Sequence, residues 1–309
     1  MDKPTIQLID NIGLWQNATL EAQQAAIASL LNTTNLTEHF EFIAIEPFSC
    51  ANLTFNIARF KHIKTNMVFH LIPGCEEYKV GLSPERYQMV VDEFGRSCMP
   101  LDENDYEQSY PIKLAPFFMA EFVITQAQWE SVGGRKAHRD NAPSAGIDVI
   151  SKEEVAMLFK PFNLRLPCEM EWEYACKAGS NSIYYWGDEP DLSKAWVSEN
   201  VPFKADDYRN LTFEEQKPAN AFGLVGMIGN FAEWVEDDAY EYNTGVPSQI
   251  PHRTGLQSPD GILRGGWLGY DWNLNRSTLR IPCSTSAADT GIGARLAVSL
   301  HDLIHDEQS

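Results

Sequence analysis

Apolar and polar positions along the chain change period several times over short distances. Residues 18–31, ATLEAQQAAIASLL, are Ala-, Leu- and Gln-rich and predict a helix, because these side chains lose little freedom in one. NTTNLT then breaks it. The pattern is mixed to about residue 66, with a short strand predicted at Phe40 to Ile45. MVFHLIPG (67–74) predicts a strand ending in a Pro-Gly turn, with YKVGL as its hairpin partner. PIKLAPFFMAEFVIT (111–125) predicts a further strand. Thr125 with Gln128, and Ser151 with Glu154, have the spacing of capping boxes and so predict helix starts. Residues 100–110 and 133–150 are loop-like, and 180–220 is irregular, aromatic and charged. Short strands, few helices and long irregular segments predict an α+β fold whose loops carry the function. The expected organisation is an N-terminal extension (1–65) packed on a main body (66–300), then a tail (301–309).

Charge changes this picture. The 309 residues hold 43 Asp and Glu against 24 Lys and Arg, a net charge of −19. Such a surface argues against phosphate-tracking nucleic-acid binding and against docking on anionic membrane. It fits solubility, calcium binding or a basic partner. No apolar run reaches the roughly 18 residues that span a bilayer, and no basic stretch leads into an apolar one near Met1, so a cytoplasmic setting is expected. Six cysteines without a CxxC pair read as reduced thiols. The Asn-x-Ser/Thr triplets at Asn17, Asn35, Asn52 and Asn210 read as chance in that setting.

RLPCEMEWEYACKAG (165–179) encodes a capped helix. Cys168 takes the N-cap, Glu171 the N3 position and Gly179 the C′ position, and Trp172, Ala175 and Cys176 form the buried face. Cys168 and Cys176 lie about 12 Å apart along such a helix, too far for a disulfide. Cys168 is either a reactive thiol lowered by the helix N-terminus or a plain cap.

Four segments in order, AEFVITQAQWESV (120–132), RLPCEMEWEYACKAG, NAFGLVGMIGNFAEWVED (220–237) and LRGGWLGYDWNLNRSTLR with GIGARLA (263–297), resemble the sulfatase-modifying-factor family founded on the formylglycine-generating enzyme. MVFHLIPG resembles its opening strand. The resemblance implies a formylglycine-generating-enzyme-like fold, related to C-type lectins and largely irregular. It also implies a Ca²⁺ loop using the carbonyls of Gly229 and Phe231 and the carboxylate of Glu233, with Asn230 beside them. The first side-chain ligand falls on Gly226, which has none. Family oxidases place two cysteines after the Gly-Gly pair, where thiolates bind copper(I) and exchange with a substrate cysteine. Residues 265–282 contain no cysteine, and Cys283 comes too late, so no copper is expected. Some relatives add a non-heme iron motif. His301 and His305 have its i,i+4 spacing, but a third ligand is not apparent.

What remains is an aromatic and Asn-rich stretch: Trp267, Tyr270, Asp271, Trp272, Asn273, Asn275, Arg276 and Arg280. Such side chains suit a rigid recognition surface. The fold also serves retroelement-diversified variable proteins, whose variable residues sit in this segment. The leading expectation is a binding member of the family that holds a protein, peptide or small ligand. The rival is a metal-dependent oxidase or oxygenase using another cofactor site. Trp267 and Arg280 have a competing reading as core residues. Exposure is expected of Tyr270, Asp271, Trp272 and Asn273.

Overall fold

The computed structural model describes residues 7–95, 111–136, 142–203, 210–238 and 260–304. Its principal sheet has five antiparallel strands in the order β1-β2-β3-β6-β11. These are β1 (Phe40–Cys50), β2 (Leu53–His62), β3 (Val68–Ile72), β6 (Phe117–Ala120) and β11 (Ala297–Ser299). The central strand β3 reads VFHLI and β6 reads FFMA, and both are almost wholly buried, as strands covered on both faces should be. The edge strand β1 carries exposed positions, Glu41, Pro47 and a register break between Phe42 and Ala44, features that discourage edge pairing.

Two expectations change here. Residues 40–62 pair directly with β3 through β2, with Ala58 opposite Leu71, so part of the N-terminal region is sheet as well as cover. The expected partner of β3 also pairs elsewhere: β4 (Cys75–Lys79) pairs with β5 (Pro111–Leu114). Gly74 turns the chain away. Its N–H donates to Ile9 O at 2.9 Å, and a Cβ there would lie 2.6 Å from Asp10 O and 2.7 Å from Leu114 O. The backbone of the N-terminal segment fills that space, so only glycine fits.

A second sheet has the order β10-β7-β8-β9, built from β7 (Ala232–Asp238), β8 (Asp260–Arg264), β9 (Arg280–Ser284) and β10 (Ile292–Gly293). The predicted strand at 111–125 is two strands, broken at Ala115-Pro116, because proline cannot donate to a ladder. The boxes at Thr125–Gln128 and Ser151–Glu154 cap the helices Gln126–Ser131 and Lys152–Phe159. The start of the expected tail is the helix Leu300–Ile304, with Leu303 buried. His305 lies outside the described residues. No helix among the described residues is long and apolar enough to cross a membrane.

The helix Glu169–Lys177 is buried all round, not on one face. The reason is charge pairing. Arg264 at the end of β8 meets Glu169 at 3.1 Å and Glu173 at 2.6 Å. Arg280 at the start of β9 grips both oxygens of Glu169, and Lys177 reaches Glu173 at 3.0 Å. Burial alone would raise the Glu173 carboxyl, but Lys177 and Arg264 outweigh it and hold it at about 2. Cys168 sits at the N-cap, where its N–H donates to Glu171 Oε2 at 2.8 Å. Burial, then the carboxylates of Glu171 and Asp237, push its thiol well above the usual value. That disposes of the reactive-thiol reading, which needs a stabilised thiolate.

Candidate functional site

The loop between β8 and β9, residues 265–279, carries the stretch singled out in the sequence. Asn275 organises it from beneath. This fully buried side chain donates to the carbonyls of Trp267 at 3.2 Å, Tyr270 at 2.9 Å and Asp271 at 2.8 Å. Further bonds tie the loop to its surroundings: Gly229 N–H to Gly265 O at 3.0 Å, Leu268 N–H to Asn230 O at 3.2 Å, and Ser198 N–H to Tyr270 O at 3.0 Å. Loop and neighbours are therefore held in one geometry before any ligand arrives.

The predicted residues divide. Asp271 is exposed, and Trp267, Tyr270, Trp272 and Asn273 are half-buried. Asn275 and Arg280 are 0% exposed and Arg276 is 1% exposed. Asn275 and Arg280 are thus removed from the ligand-facing set. Asn275 satisfies backbone carbonyls, and Arg280 neutralises buried Glu169, which water cannot reach. Trp267 is a wedge: its indole lies between Gly269 and Gly291, and a Cβ on Gly291 would fall 2.0 Å from its Nε1. Its ring meets Tyr270 edge-on at 5.4 Å. Burial, then nearby Cys283, raise the Tyr270 phenol.

The structure adds partners that the sequence reading passed over. Tyr184 and Trp186 stack with centroids 5.0 Å apart and planes 5° from parallel. Trp272 meets them edge-on at 5.5 and 6.1 Å, and Tyr185 meets Trp186 at 4.6 Å. Trp186 donates its indole N–H to Glu189 O at 3.0 Å. Two segments distant in sequence thus build one aromatic cluster, with Trp186 and Trp272 both half-exposed. The signal available beforehand was the aromatic density of residues 180–220.

The implied calcium ligands are arranged differently. Glu233 is fully buried and receives Arg295 on both oxygens, Nε at 2.7 Å and Nη2 at 2.7 Å, together with the Trp172 indole N–H at 2.7 Å. The one carboxylate among the implied ligands is therefore already neutralised by a guanidinium. At Gly226 a Cβ would lie 3.3 Å from Gln216 Oε1 and 3.1 Å from Asn230 Nδ2, so amide side chains fill the position of the missing ligand. Gly229 and Phe231 keep their carbonyls, but a divalent cation would sit beside Arg295. These residues as placed do not fit calcium. Among the described residues no group of three His, Cys, Asp or Glu side chains is gathered to hold a metal.

Residues 82–300 match the family described as the sulfatase-modifying factor enzyme 1-like domain. The chain belongs to that family. It is 34% identical over 87 residues to the formylglycine-generating enzyme of Mycobacterium tuberculosis, covering 26% of this chain and 29% of that enzyme. It is 25% identical over 248 residues to the inactive C-alpha-formylglycine-generating enzyme 2 of Mus musculus, covering 72% of each. Across four formylglycine-generating enzymes that it matches, the shared stretch spans 29% to 52% of their lengths. Two solved structures share the fold. PvdO from Pseudomonas aeruginosa has a TM-score of 0.60 at 23% identity, over 82% of this chain and 99% of that one. Treponema denticola variable protein 1 has a TM-score of 0.55 at 16% identity, over 83% of this chain and 99% of that one. The fold is thus the expected mixed, C-type-lectin-related one.

Proposed function

We propose that this family member is a binding protein that holds a protein, peptide or small ligand on the aromatic surface built by the β8–β9 loop and residues 184–200. One observation carries the reading. The interval 265–282, which would hold the thiol pair of the family's copper chemistry, contains no cysteine and carries Trp267, Tyr270 and Trp272 instead. Copper(I) selects soft thiolate ligands and substrate exchange needs an attacking thiolate, and neither function can pass to tryptophan. The resemblance to an inactive formylglycine-generating enzyme supports this reading. So does the shared fold of a variable protein, which makes the loop a candidate for diversification. Free thiols at Cys50, Cys75, Cys168 and Cys176 fit a reducing, cytoplasmic setting.

Oxygen uptake by protein purified without chelator, supplied with copper(I) and a cysteine-containing peptide, tests it. Uptake should stay at the buffer rate. Stoichiometric copper or iron with thiol-dependent uptake would instead establish an oxidase.

A further inference from the structure

We infer that the surface formed by Trp186 and Trp272, backed by the buried Tyr184, is a docking site for an arginine-bearing segment of a basic partner protein. The inference rests on the proposed recognition surface and names the chemistry that surface selects.

Three observations point to a cation. The first is the aromatic geometry. Trp186 and Trp272 are half-buried, lie 6.1 Å from each other, and are fixed against the buried Tyr184 and Tyr185 at centroid separations of 4.6 to 5.5 Å. A planar guanidinium is attracted to such rings within about 6 Å of a centroid. The second is the charge next to them in the chain. Between residues 186 and 200 stand Asp188, Glu189, Asp191 and Glu199 against Lys194, and Asp271 adjoins Trp272. Glu189, Glu199 and Asp271 are exposed, while Asp188 is engaged by Arg86 at 2.7 Å. The third is internal. In the same segment Trp196 already takes a cation, with Lys217 Nζ 3.6 Å from its ring centroid. The net charge of −19 speeds the encounter with a basic partner. Anionic and purely apolar ligands gain nothing from the acidic rim.

The test uses the full chain, isothermal calorimetry near physiological salt, and two acetylated peptides. One carries three arginines spaced by glycine and serine, and the other carries neutral citrulline in their place. The arginine peptide should bind saturably, and the citrulline peptide at least tenfold more weakly. Trp272→Ala keeps every charge and should weaken the arginine peptide at least tenfold with little change in Tm. The surface pair Glu189→Gln and Asp271→Asn, which leaves the rings intact, should weaken it about fivefold. Undiminished binding by Trp272→Ala would show diffuse attraction and overturn the inference. If Trp272→Ala instead unfolds the chain, the acidic pair decides alone: unchanged affinity there overturns the inference. Equal affinity for the citrulline peptide would remove the cation while leaving aromatic recognition in place. Failure to bind either peptide also overturns it. The proposed function falls separately, on oxygen uptake.

Discussion

The helix Glu169–Lys177 and the β8–β9 loop are joined through Arg264 and Arg280, which flank the loop and point back to the helix. Below, five charged side chains are buried together and each finds an opposite partner. Above, the half-buried Trp186 and Trp272 meet each other and the buried Tyr184 edge-on. Buried ion pairs specify one arrangement strongly when complete and destabilise strongly when broken. Half-buried rings pack against the core on one side and leave area for a ligand on the other. The frame can therefore be kept while the surface changes its chemistry.

The largest expected effect comes from breaking the frame. Arg280→Met leaves Glu169 buried with only Arg264 close by, and should cost about 3–5 kcal/mol in urea unfolding. Glu169→Gln combined with Arg280→Met should recover part of that loss, because the uncompensated carboxylate is gone. A double variant as unstable as the sum of the singles would mean that the two residues act independently.

Acid response gives a middle-sized test. Asp237 accepts from Glu169 N–H at 2.5 Å, and burial, then the Glu169 charge, push its carboxyl up to about 6. A raised carboxyl favours the folded state fully below its ordinary value of 3.8, and that contribution is lost as pH rises through about 6. His62, held down to about 4 by burial and by the charges of His39 and Lys64, does the reverse, adding stability as pH rises from about 4 to 6.5. The two offset each other in the native chain. Asp237→Asn should unmask the His62 slope, so that the variant gains on the native protein by roughly 2–3 kcal/mol between pH 4 and 7. Thermal unfolding of both proteins at pH 4, 5, 6 and 7 checks this. A constant difference would show that Asp237 is not held protonated.

The same contrast explains what the sequence could show. Capping boxes at Thr125, Ser151 and Cys168 involve residues three apart, so both helix starts and family motifs were legible. The partner of β4 was not, because strand pairing is settled by long-range contacts such as those that seat Gly74. Arg280 carried both a surface and a core reading, since its burial depends on a carboxylate 111 residues away. Tyr184 and Trp186 carried no local sign of meeting Trp272. The surface is assembled from two segments, and only the aromatic density of each was visible beforehand.

Asn275 lies between the two regions and should show the smallest stability effect and a separate binding effect. Its amide meets three carbonyls that flank the exposed rings. Asn275→Ala leaves those buried acceptors unmet, at a cost of about 1–2 kcal/mol, well below that of Arg280→Met. No part of Asn275 reaches solvent, so it cannot touch a ligand. It should nevertheless weaken capture of the arginine peptide, because Tyr270 and Asp271 would lose the bonds that hold their backbone in place. Hydrogen exchange should accelerate across residues 267–274 while the helix Glu169–Lys177 keeps its protection. If both regions lost protection together, frame and surface would be one cooperative unit. If neither changed, the loop would be held by Leu268, Ser198 and their partners without help from Asn275.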